Sequence, residues 1–148
     1  MGDADPAVRF WGALGLHIRG EAAVKSNQAF LIKCLTDDSA SVRIAAAQAL
    51  GAYGHGDALA SSLETLGKLA SPETHGVLTS MAALAAIEAL GSKAKPLHSI
   101  LASMNPSGAS PDQRYGSYVP RLIQNIVPNA TPPKGKGKKA TKDPTASQ

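Results

Sequence analysis

Two segments of this chain, 34 residues apart, carry one pattern. Asp5-Pro6-Ala7-Val8-Arg9 is followed by Ala13 and Leu16, and Ser39-Ala40-Ser41-Val42-Arg43 is followed by Ala47 and Leu50. A weaker third copy, Ala82 to Gly91, ends Ile87-Glu88-Ala89-Leu90-Gly91 in parallel with Ala47-Gln48-Ala49-Leu50-Gly51, but has Ala83 at the arginine position. Recurrence at this spacing constrains the fold strongly. Each unit is one small piece of supersecondary structure that cannot cover its own apolar face, so the units must stack.

The local signals make each unit helical. Asp5 suits an N-cap and Pro6 the first helical position. Ser39 or Asp38 can cap the second copy, and Gly54 and Gly56 stop its helix. Between them Val42, Ala45, Ala46, Ala49, Leu50 and Tyr53 fall on a single apolar stripe at helical spacing. A second helix follows each first one, on the stripes Phe30-Leu31-Cys34-Leu35, Leu59-Leu63-Leu66-Ala70 and Leu97-Ile100-Leu101-Met104. Pro72 and Glu73 open a long Ala-rich helix carrying Met81, Leu84, Ile87 and Leu90. After a Pro/Ser/Gly-rich loop, Val119, Leu122, Ile123, Ile126 and Val127 mark a last helix. No stretch alternates with period two, so no sheet is expected. Ala45, Ala46, Ala47 and Ala49 let neighbouring helices approach closely. The expectation is an all-α fold: a solenoid of about three helix pairs plus a C-terminal helix.

Composition narrows what the stack can be. Of 148 residues 43% are hydrophobic and 18% charged, enough apolar material for one core. There is no run of about 18 apolar residues and no basic start leading into an apolar stretch, so neither a membrane span nor a signal peptide is expected. The single cysteine, Cys34, excludes an internal disulfide framework. The formal charge of +4 invites a nucleic-acid reading, but it is unevenly placed. Residues 1–128 hold ten basic and ten acidic side chains, while residues 129–148 hold five lysines against Asp143. The body, residues 3–128, is therefore the repeat domain. Residues 129–148, rich in Lys, Pro and Gly, are expected to be a disordered tail that lacks the apolar surface to offset ordering. Nucleic acid is thus an unlikely partner, and its phosphates would be attracted by the lysines of that tail alone. Asn129-Ala130-Thr131 also fits a glycosylation acceptor, a pattern common by chance.

Val-Arg followed by an alanine-rich helix, repeated at this spacing, resembles the HEAT repeat over residues 3 to 104. The resemblance implies that acids at the helix starts and arginines stack between repeats as a polar ladder. This carries onto Asp5, Arg9, Asp38 and Arg43 and fails at Ala83. Four segments in order also resemble the HEAT extension at the C-terminus of some bacterial sulfatases: Asp5 to Leu16, Asp38 to Ala47, Gly91 to Pro96, and Tyr118 to Leu122. This implies a non-catalytic accessory part of a sulfatase-type hydrolase, with a fused catalytic domain or protein partner at the N-terminal end. It also implies a periplasmic or secreted location, in place of a cytoplasmic one. The sulfatase nucleophile pattern, Cys or Ser-x-Pro-x-Arg, is not present, since Leu35-Thr36-Asp37-Asp38 follow Cys34.

No residue set displays a reaction, so no catalytic residue, metal site or cofactor is assigned. His17, His55, His75 and His98 lack the i, i+4 spacing of paired ligands. Cys34 lies on an apolar stripe, where a free cysteine behaves as a small hydrophobe. Asp37 and Asp38 suit a helix start, where the dipole favours acids. The glycine-rich run Gly51 to Asp57 matches no nucleotide-binding loop and reads as a helix stop and turn. Arg9 and Arg43 have two readings: rungs of the ladder, or guanidinium forks for an oxyanion. Phe10 and Trp11, with Leu14 and Leu16, spread apolar surface around the first helix. A terminal repeat normally has a polar outer face, so Phe10 and Trp11 are the candidate exposed interface. The sequence thus reads as a scaffold that binds protein, with an enzyme-linked reading second and nucleic-acid binding through the tail third.

Overall fold

The first helix forms where both start signals coincide. α1 (Pro6–Arg19) has Pro6 at its first position, and the Asp5 carboxylate accepts the Ala7 N–H at 2.8 Å. The computed structural model describes residues 3–130, so all of the expected tail except Asn129 and Ala130 lies outside the described residues.

The second helix of the first pair is interrupted. α2 (Glu21–Ser26) and α3 (Gln28–Cys34) meet at Asn27, whose side-chain amide donates to the Ala23 carbonyl at 2.9 Å. That bond competes with the backbone ladder at the point where the helix breaks. The second pair is regular: α4 (Ala40–Tyr53) and α5 (Asp57–Leu69). Gly54 ends α4, and Gly56, at φ +54°, takes a backbone conformation that side chains disfavour, which turns the chain into α5. The third pair starts with α6 (Pro72–Leu90). Its partner differs from the expected helix: a 3-10 segment, Gly91–Leu97, runs into the short α7 (His98–Ser103). Pro96 removes a donor there, and Ile100 points outward, 54% exposed, while Leu97 and Leu101 are buried. A second 3-10 turn, Gln113–Ser117, leads into α8 (Tyr118–Ile126), which buries Val119 and Ile123. Among the described residues there is no strand.

These elements form two layers. α1, α4, α6 and α8 pack side by side in chain order. α3, α5 and the Gly91–Leu97 segment line up behind them. The expected solenoid is therefore the observed fold. The single stripe expected on α4 is too narrow, however. Ile44, Ala47 and Gly51 are buried along with Val42, Ala45, Ala46, Ala49 and Leu50. α4 touches α1, α3, α5 and α6, and a helix enclosed in this way is apolar around most of its circumference. The approach is close: a Cβ on Gly51 would sit 2.6 Å from the Leu90 side chain and 2.8 Å from the Ser62 hydroxyl. Two buried serines tie the layers by donating to carbonyls of the previous element, Ser62 to Ala47 at 2.6 Å and Ser80 to Ala70 at 2.5 Å.

α6 is broken near its start. Gly76, at φ +77°, leaves the helical conformation, and the Val77 N–H turns to the Ala109 carbonyl at 2.8 Å. The long Pro/Ser/Gly-rich loop is thereby pinned to α6, and Gly108 lies so close to Pro72 that a Cβ would overlap the Pro72 carbonyl. The stretch Pro72–Ser103 reaches a mean hydropathy of 1.3 in an 18-residue window, which by composition alone would suit a membrane. Its Ala83, Leu84 and Ile87 are instead fully buried within the stack, and Gly76, Gly91 and Pro96 interrupt it.

Ala47 is fully buried at the centre of this arrangement. Ala47→Leu adds three carbons where no space exists and lowers stability by about 1–3 kcal/mol in urea denaturation. Ile100→Ala, on the exposed side of α7, stays within about 0.5 kcal/mol of wild type.

Candidate functional site

Arg9 pairs with Asp37, and not with Asp5 or Asp38, the acids named with it above. Arg9 Nε donates to Asp37 Oδ2 at 2.6 Å, and Nη2 donates to Oδ1 at 2.9 Å, a two-pronged fork. Nη1 donates to the Asp3 and Ala4 carbonyls at 2.8 and 3.0 Å. The side chains are 19% and 10% exposed, so the pair is largely shielded from water. Asp37 Oδ1 also accepts the Ser39 N–H at 2.9 Å, which fixes the entry to α4, while the Ser39 hydroxyl makes no cap bond. Asp38, the expected rung, is exposed and makes no such bond. Position decides this: Asp37 accepts from Arg9 and from the start of α4 at once. Asp5 caps α1 and is not part of the ion pair.

The arginine fork holds the Asp37 carboxyl below the ordinary aspartate range; burial opposes this, and the Ser39 N–H and the Arg43 charge assist. The same hydrogen bond raises Arg9. Cys34, buried beside this pair, has its thiol pushed up, first by burial and then by the Asp37 charge.

Arg43 is placed differently from Arg9. No ion pair to it exists among the described residues, and its Nε is buried with no hydrogen-bond partner there. The connection between α3 and α4 contains Asp37, but the next one, between α5 and α6, is only Ala70-Ser71. The ladder thus breaks after one rung, because no carboxylate stands where Arg43 would need it. Arg43 instead lines a groove of about 570 Å³ between α3, α4, α5 and the start of α6.

The candidate interface residues split. Trp11 is 66% exposed, whereas Phe10 is half-buried against the core, and the two rings meet edge-on with centroids 5.5 Å apart. Val8 and Ile18, on the same outer face of α1 as Trp11, are 51% and 74% exposed. The histidines are dispersed: the His17 ring leans on Tyr53 at 5.6 Å, His55 is exposed between glycines, and His75 lines the groove with Arg43. No group of three metal-ligating side chains occurs among the described residues. Sequence reasoning missed Lys93, whose Nζ donates to the Ala52 and Gly51 carbonyls at 2.6 and 3.3 Å. It complements the negative end of α4 from 41 residues away, and no local pattern signals that.

Helical hairpins stacked in chain order, with an arginine–carboxylate fork joining one pair to the next, define an α-solenoid of repeats. The family model described as HEAT repeats matches residues 1–85, and the chain belongs to that family. No curated protein and no solved structure matches it. The nucleic-acid reading rests on lysines that lie outside the described residues.

Asp37→Asn removes the charged half of the fork and lowers the denaturation midpoint at neutral pH. The native carboxyl titrates below its unfolded value, so its contribution is full above the ordinary aspartate range and is lost as pH falls through the depressed native value. Wild type and variant therefore converge in strong acid; a gap that stays constant with pH contradicts the assignment. Cys34 reacts with a thiol reagent only after denaturant is added, and rapid labelling of the native chain contradicts its burial.

Proposed function

We propose that this HEAT-repeat chain is a non-catalytic scaffold that docks a folded protein domain on the outer face of α1. The observation that carries this is the row Val8, Trp11 and Ile18, exposed on the first helix of the stack. A large aromatic with aliphatic neighbours is the composition of an interface anchor, and burying it against a partner removes apolar area from water. The buried residues form one hydrophobic cluster, and stacked repeats of this kind bind other molecules through their surfaces. The four segments that resemble the C-terminal extension of bacterial sulfatases support a sulfatase-type catalytic domain as the occupant, which makes the chain the accessory part of such a hydrolase.

Trp11 is the only tryptophan, so its fluorescence reports on this face alone. A photo-crosslinking residue at Ile18, used in the producing cell, gives one discrete protein adduct, while the same probe at the exposed Ala60 on α5 gives none. Adduct peptides from a protein bearing the Cys or Ser-x-Pro-x-Arg pattern support the sulfatase occupant. In the purified complex Trp11 emission moves to the blue, and Trp11→Glu abolishes that complex. Equal labelling from both probe positions, or an unshifted Trp11, overturns the proposal.

A further inference from the structure

The groove beside Arg43 is independent of the α1 face. It has an apolar wall of Ile32, Leu35 and Leu69, and its polar side carries Arg43, Lys68 and His75. Its volume, about 570 Å³, lies in the usual range for small-molecule sites. Two of its hydroxyls are already committed, since Thr65 donates to the Ser61 carbonyl at 2.8 Å and Thr36 to the Lys33 carbonyl at 3.0 Å. Lys68 is held by Glu64 at 2.6 Å, so that pair adds no net charge. What remains is the guanidinium of Arg43. Its Nε–H is shut away from water and unmatched, a costly condition for a strong donor. Asp37, whose carboxyl feels the Arg43 charge, accepts its hydrogen bonds from Arg9 and Ser39 and none from Arg43.

The first rung indicates what is missing. Arg9, at the equivalent position of the previous repeat, is satisfied by a forked carboxylate. At Arg43 the chain supplies no such carboxylate, and the guanidinium lines the groove. We infer that this groove binds a monocarboxylate with a compact apolar body: the carboxylate forks onto the two outer amino groups of Arg43, which unlike Nε are not closed off from water, and the body lies on Ile32, Leu35 and Leu69. An organic acid fits better than inorganic phosphate, which has no apolar body to cover Ile32, Leu35 and Leu69. The carboxylate comes either from a free organic acid or from an acidic side chain of a peptide; the recognition chemistry is the same.

The test is an NMR titration of the full chain that follows the Arg43 side-chain Nε–H resonance. The probes are benzoate, the capped tripeptide acetyl-Leu-Glu-Leu-amide, and inorganic phosphate. Saturable movement of the Arg43 resonance with benzoate or the tripeptide supports the site, and the tighter of the two identifies the source. Arg43→Gln then weakens that probe by about tenfold or more, and Arg43→Lys, which keeps the charge but loses the fork, weakens it by a similar factor. No saturable shift from either carboxylate, or phosphate binding as tightly as the better one, overturns the inference. The wild-type resonance alone separates these outcomes, even if a variant fails to fold.

Discussion

The whole stack depends on how closely α4 can be approached. Its neighbours α1, α3, α5 and α6 reach it from four sides, and they can do so because its buried positions are mostly alanine and glycine. Dispersion contacts fall off steeply with separation, so small side chains at the contacts are what allow backbones to pack at this density. The long side chains that fill the remaining space, Leu31, Leu50, Leu66, Leu84 and Ile87, come largely from the surrounding helices and are fully buried. Each such residue contributes roughly 1.5–3 kcal/mol from burial, which is realised only when neighbouring pairs are in place. Adjacent repeats therefore stabilise each other.

Polar groups then fix the register that packing alone would leave loose. Arg9 reaches across 28 residues to Asp37, Ser62 and Ser80 donate to carbonyls of the preceding element, and Lys93 closes the end of α4. Arg9, Ser80 and Lys93 each join one pair to the next, Ser62 joins the two helices of the second pair, and each is matched to a specific acceptor. Arg43 is the exception in this series. Its position in the repeat is that of Arg9, but the connection that would carry its carboxylate has been shortened to two residues. Arg43 lines the groove between α3, α4, α5 and the start of α6 instead.

Much of the architecture could be read from the chain. The 34-residue recurrence, the Asp5-Pro6 start and the burial of Leu63, Leu66 and Ala70 follow from spacing and capping, because those signals are local. Details that depend on which side-chain and backbone bonds win were not legible. The break at Asn27 depends on a side-chain bond competing with the helix, and the Gly76 kink depends on Ala109, more than 30 residues away. Asp37 and Asp38 are neighbours in sequence, and only the direction of Arg9 distinguishes them. For the site, Arg43 was visible as a residue with two readings. The missing acid is visible only once α5 and α6 have been placed. Trp11 and Phe10 looked alike, but a shift of one position around α1 sends one ring outward and the other toward the core.

If α4 is the shared centre of a stack of helical hairpins, it can open only when the stack does. Native-state hydrogen exchange measures this directly, residue by residue. The amides of Ala45 to Leu50 should exchange with the free energy of global unfolding, while those of α2 and α7 exchange through smaller, local openings. Protection in α4 no greater than in α2 would contradict the account.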